Sequence, residues 1–233
     1  DFHSVLEPSI PGAMSPSPSS RAAFVKPFIV MDMFREANAL AAGGHDVVHM
    51  SAGQPAGGPP QKVVDAAREA LNGAYMGYTD SLGLPALRER IARHYHEAYG
   101  IAVDPGRVVV TTGSSGSFVL SFLACFDHGD KVGLTVPGYP AYSNILSALG
   151  INVTHMEVDG RNRWAPTPDQ VSTACENGLS GLLLASPANP TGTMVTPDTL
   201  AAISQTCARK DIWFISDELY HGLNYEMPQA TAL

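Results

Sequence analysis

Short apolar runs recur along the chain, each set between segments of helical periodicity, and this alternation restricts the fold more than any other feature. The runs are residues 108–110, 132–136, 182–185 and 212–215, with a weaker one at 151–155. Predominantly apolar runs, as opposed to alternating ones, suit strands buried on both faces of a parallel sheet. Strands and helices in alternation predict an α/β domain, a mostly parallel sheet with helices on both faces.

The spacing predicts the helices. Residues 28–42 read as a helix stopped at Gly43-Gly44, and 61–72 follow Pro59-Pro60. Over 84–99 the residues Leu84, Leu87, Ile91, Tyr95 and Ala98 step by three and four, and Gly100 closes the segment. Residues 115–126 carry Phe118, Phe122 and Phe126, and 140–149 end at Gly150. Thr167-Pro168-Asp169-Gln170 is a capping box with proline at the first helical position, and Thr196-Pro197 opens a helix in a similar way.

Composition narrows the class. With 45% hydrophobic and 15% charged residues, the chain is not disordered overall. Its 233 residues fit one to two domains at ~150 residues each. A net charge of -8, with 14 Lys+Arg spread over the length, lacks the basic stripe of a nucleic-acid binder. No apolar stretch reaches the ~20 residues of a membrane span. Cys125, Cys175 and Cys207 form no Cys-x-x-Cys, so reduced thiols in a cytoplasmic protein are expected, and no metal site. His94 and His96 stand two apart on a helix and share no face. Residues 1–20, rich in Pro and Ser, read as a flexible arm and not as a signal peptide. The chain begins at Asp1, with Met14 as a possible start.

In open α/β sheets, ligands bind at the carboxyl ends of the strands. There the chain carries Thr111-Thr112-Gly113-Ser114-Ser115-Gly116, Pro137-Gly138-Tyr139-Pro140-Ala141-Tyr142, Ser186-Pro187-Ala188-Asn189-Pro190-Thr191-Gly192 and Ser216-Asp217-Glu218-Leu219-Tyr220. The Gly-Ser-Ser-Gly turn opens a helix, and helix N-termini attract phosphate. It is neither Gly-x-Gly-x-x-Gly nor a P-loop, so a nicotinamide oxidoreductase or a nucleoside triphosphatase loses support. Each feature alone has an ordinary structural reading: a strand–helix turn, an Asn-Pro turn, a helix cap at Asp217, a packed ring at Tyr139. The weight lies in four of them in this order, each behind its own strand.

These motifs, with Ser51-x-Gly53-x-Pro55, Tyr78 and Gly83-Leu84-Pro85-Ala86-Leu87-Arg88, resemble the class I/II aminotransferases, pyridoxal-phosphate enzymes of fold type I. The resemblance spans about residues 24–225. It implies a division into the arm (1–20), an N-terminal segment of a small domain (21–50) and a cofactor-binding large domain (51–233), incomplete at its C-terminal end. It further implies that Gly113, Ser114 and Ser115 hold the cofactor phosphate. Tyr139 stacks on the pyridine ring, Asp217 pairs with the ring nitrogen, and Asn189 and Tyr220 bond its phenolic oxygen. Tyr78 reaches the phosphate of a neighbouring subunit, so a homodimer with the site at the subunit interface is expected. Gly53 lies beside the substrate carboxylate. His221 either lines the site or packs beside it.

The family's Schiff-base lysine follows the Asp-Glu-x-Tyr motif by a few dozen residues, and none of Lys26, Lys62, Lys131 or Lys210 has its context. The expectation is a chain truncated before that lysine. Alone it is expected to be inactive, and poorly soluble because the run at 108–110 is left with no neighbouring strand and the run at 212–215 with one bare edge. The function implied is transfer of an amino group from an L-amino acid to a 2-oxo acid. Two alternatives stand beside it: a lyase or synthase on the same fold, and a non-catalytic truncated or pseudoenzyme binding module.

Overall fold

The computed structural model describes residues 19–23, 25–53, 57–73 and 77–233. Pro55 and all but the last two residues of the Pro/Ser-rich arm lie outside them. The described residues divide into two compact units, those of 27–117 with Leu233, and those of 118–232 with the described ones up to 26.

The first unit holds α1 (Ile29–Ala42), α2 (Gln61–Gly73) and α3 (Pro85–Tyr99). Neither α1 nor α2 buries a residue, and α3 buries Ala92. The bounds follow the periodicity and punctuation of the sequence. Gly43 and Gly44 cap α1 by bonding the carbonyls of Ala39 and Ala41, and Gly100 closes α3 on His96.

Residues 108–110, expected as a strand left without a neighbour in this chain, join no ladder among the described residues. Val108 is extended, at φ -90° and ψ 126°. Its carbonyl accepts from Arg88 Nε at 3.0 Å, and the Val110 N–H donates to Leu82 O at 3.0 Å. An apolar run becomes a strand only beside another strand, and the sheet of this chain belongs entirely to the other unit. Gly83 lets Val110 come close. Its φ is +99°, and a Cβ there would stand 2.7 Å from the Val110 Cβ.

The helix α4 (Gly113–Cys125) begins in the first unit and ends in the second. The second unit then runs β1 (Lys131–Val136), α5 (Pro140–Ala148), β2 (Asn152–Glu157), α6 (Pro168–Glu176), β3 (Gly181–Ala185), α7 (Pro197–Arg209) and β4 (Trp213–Asp217). The strands form one parallel sheet in the order β2-β1-β3-β4, as the apolar runs predicted.

Alternate strand residues face opposite layers, which explains why the runs are apolar throughout. On one face Val132, Leu134 and Leu183 pack with Phe118, Phe122 and Phe126 of the α4 segment and Tyr142 and Leu146 of α5. On the other, Met156, Leu182 and Leu184 pack with Val171 of α6 and Leu200, Ile203 and Cys207 of α7. Leu182 and Leu183, neighbours in sequence, serve different cores. Burying a side chain of this size contributes about 1.5–3 kcal/mol.

Candidate active site at the carboxyl ends of the strands

Asp217 is the last residue of β4, and its neighbour in register is Ala185, the last residue of β3. The chain leaving β3 forms the Ser-Pro-Ala-Asn-Pro turn, and the Ser186 N–H donates to the Asp217 carbonyl at 3.1 Å. Asp217 and the loop bearing Asn189 are therefore brought side by side by the sheet register. Asn189 Nδ2 donates to the Tyr220 hydroxyl at 3.5 Å, across 31 residues of sequence. The peptides Val136-Pro137, Ser186-Pro187 and Asn189-Pro190 are cis.

Both carboxylate oxygens of Asp217 are engaged. Oδ1 accepts the Leu219 N–H at 3.1 Å, and Oδ2 accepts the Tyr142 hydroxyl at 2.5 Å. Tyr142 is 5% exposed. Burial, and next the hydrogen bond to Asp217, push its phenol well above the ordinary range, so it is a proton donor to the carboxylate at neutral pH. Tyr139, at the N-cap of α5, meets Tyr142 edge to face with 5.3 Å between ring centroids. Tyr139, Tyr142 and Asp217 thus form one chain of contacts, and Asn189 and Tyr220 a second pair on the segments that follow β3 and β4 of the same unit.

Glu218, beside Asp217, faces inward. It accepts from Ser216 Oγ at 2.9 Å and from the Ala232 N–H at 2.8 Å, and its Oε2 stands 3.7 Å from His221 Nδ1. His221 is thereby packed against Glu218, with a side chain 10% exposed. The roles of Tyr142 and Glu218 had no signal in the sequence beyond their place in the motifs, because their partners are set by tertiary contact.

The other expected residues belong to the first unit. Gly113 has φ +79°, and space opens around the position of its absent Cβ. It begins α4, whose first N–H groups have no intrahelical acceptor. Thr111 Oγ1 donates to the Gly113 carbonyl at 2.9 Å and lies 2.7 Å from Ser117 Oγ, bracing the turn that carries Ser114 and Ser115. Gly53 and Tyr78 are exposed, Tyr78 fully.

Lys131 opens β1 and Lys210 lies between α7 and β4, so both stand at amino ends of strands, the end of the sheet opposite Asp217. No described helix is long and apolar enough to cross a membrane.

Known proteins resemble the chain over nearly its whole length. A valine–pyruvate aminotransferase of Mycobacterium tuberculosis is 48% identical over 202 residues, which is 87% of this chain and 52% of that protein. An aspartate aminotransferase of Geobacillus stearothermophilus is 31% identical, over 89% of this chain and 53% of its own. The crystal structure of an aminotransferase from Mycobacterium tuberculosis superposes with a TM-score of 0.88 at 46% identity, covering 93% of this chain and 56% of that one. Thermus thermophilus aspartate aminotransferase with maleate gives 0.89 at 29% identity, over 93% and 57%. The chain spans about half the length of the relatives it matches. The sequence profile of aminotransferase class I and II matches residues 45–233, and the chain belongs to that family.

Proposed function

We propose that this chain is part of an aminotransferase that moves an amino group from an L-amino acid to a 2-oxo acid with pyridoxal 5'-phosphate as cofactor. The observation that carries the reading is the Asp217 carboxylate at a strand end, held by Tyr142, whose ring meets Tyr139, with the Asn189–Tyr220 pair on the segments that follow β3 and β4. The donor set fits the cofactor. A carboxylate offers about four acceptor sites, and the two bonds described leave room for a ring N–H. The chemistry that pyridoxal phosphate supplies when bound is an electron sink conjugated to the amino-acid Cα.

The residues divide the work. Asp217 holds a proton on the ring nitrogen, which deepens the sink. Tyr139 offers a half-buried aromatic face for stacking, worth about 0.5–1.5 kcal/mol beyond area burial. Asn189 and Tyr220, already in contact, orient toward one phenolic oxygen. Gly113, Ser114 and Ser115 offer a helix N-terminus to the phosphate. Gly53 leaves the substrate carboxylate unobstructed. Tyr78, fully exposed, reaches the phosphate of a second copy, so the working unit is a homodimer.

The relative at 48% identity is named for valine and pyruvate, so these are the first substrates to offer. The protein, expressed as its gene encodes it, is supplied with L-valine, pyruvate and pyridoxal phosphate, and the products are separated. Formation of L-alanine in step with the branched oxo acid supports transfer. Ammonia released without alanine points to elimination and overturns the reading.

A further inference from the structure

The contact between Tyr142 and Asp217 joins a helix after β1 to the end of β4, 75 residues apart in sequence. The Tyr142 ring has little freedom. It is 5% exposed and meets Phe118 and Tyr139 edge to face, at 5.0 and 5.3 Å between centroids. Its hydroxyl is therefore fixed by packing in the core beneath the site, and Asp217 meets a donor whose position is already set. The other carboxylate oxygen is held by the Leu219 N–H from the chain's own turn.

We propose that Tyr142 is a positioning residue, whose hydroxyl orients the Asp217 carboxylate for the cofactor ring nitrogen and whose ring sets the angle of Tyr139. This deepens the pyridoxal-phosphate reading above and rests on it. A carboxylate on a strand end would otherwise turn about its side-chain torsions, and a ring N–H needs an acceptor aimed within hydrogen-bonding angle. The buried phenol supplies that aim. Burial, followed by the Asp217 hydrogen bond, raises its ionisation, which keeps it a donor at neutral pH. A side chain locked by packing that supports a residue in contact with a ligand is how precise sites are held.

The test uses Tyr142→Phe, which keeps the ring contacts and removes one oxygen. The protein is expressed as its gene encodes it, and binding of pyridoxal 5'-phosphate is followed by equilibrium dialysis and by the visible absorption band of the bound form. Loss of a hydrogen bond to a charged group predicts roughly tenfold weaker binding with a displaced band, and a melting temperature close to that of the parent. In an Asp217→Ala background, Tyr142→Phe causes no further loss, because the two act as one unit. If Tyr142→Phe binds like the parent with an unchanged band, or weakens binding equally without Asp217, the positioning role is wrong while the cofactor reading stands. If the parent itself does not bind the cofactor, that reading falls and this one with it.

Discussion

Asp217 shows how much a single residue owes to its neighbours. Its carboxylate is acceptor-only when ionised, and two donors hold it at the end of β4. Replacement by Ala removes the partner proposed for the ring nitrogen, and losing one preorganised electrostatic contact lowers turnover by about 10²–10³-fold. Steady-state assay of Asp217→Ala with the amino-acid and oxo-acid pair checks this, and near-parental turnover would remove Asp217 from the mechanism. Gly181 makes the complementary point about packing. A Cβ there would stand 2.4 Å from two carbons of the Phe126 ring, and Phe126 is 7% exposed in the core. Overpacking of this kind costs about 1–3 kcal/mol, so urea denaturation of Gly181→Ala is expected to show a lower midpoint with an unchanged slope.

At the scale of elements, the helix ends are set by local chemistry. Thr167 Oγ1 accepts the Gln170 N–H at 3.2 Å, and the Gln170 side chain accepts the Thr167 N–H at 2.9 Å, closing the N-terminus of α6. Thr167→Ala is expected to cost about 1 kcal/mol, read as a lower thermal midpoint. The helices were legible for this reason: their periodicity, prolines and glycines act within four residues. Strands are a different case. The runs at 132–136 and 108–110 look alike in sequence, yet one is central in a sheet and the other has a side chain and a loop for partners. Hydrogen exchange distinguishes them. Amides of β3, paired on both sides, are expected to be the slowest to exchange, and those of residues 108–110 much faster. Equal protection in both would mean that residues 108–110 pair with a strand.

For the molecule as a whole, stability in alkali follows from what the second core encloses. Cys207, 1% exposed beneath α7, has its thiol pushed up to about 12 by burial, from an ordinary 9.0. Between those values only the unfolded chain releases the proton, so stability is intact below pH 9 and falls as the pH rises toward 12. The Tyr142 phenol, also raised, acts in the same direction above its ordinary 10.0. The melting temperature is expected to drop through this window, and the drop to be shallower in Cys207→Ala. The sheet itself was half legible. Apolar runs announced parallel strands with a core on each face, and Leu182 and Leu183 meet that demand by facing opposite layers. The order β2-β1-β3-β4 was not legible, because nothing in one strand names its neighbour. In the candidate site the motifs pointed to Tyr139, Asn189, Asp217 and Tyr220, since they stand at the ends of β1, β3 and β4 and the ends of parallel strands meet at one rim. They could not mark Tyr142 as the partner of Asp217. Helix periodicity, caps and the residues behind each strand are local and therefore written in the chain. Strand order and a hydroxyl that meets a carboxylate 75 residues away depend on which surfaces pack together, and only packing in three dimensions decides that.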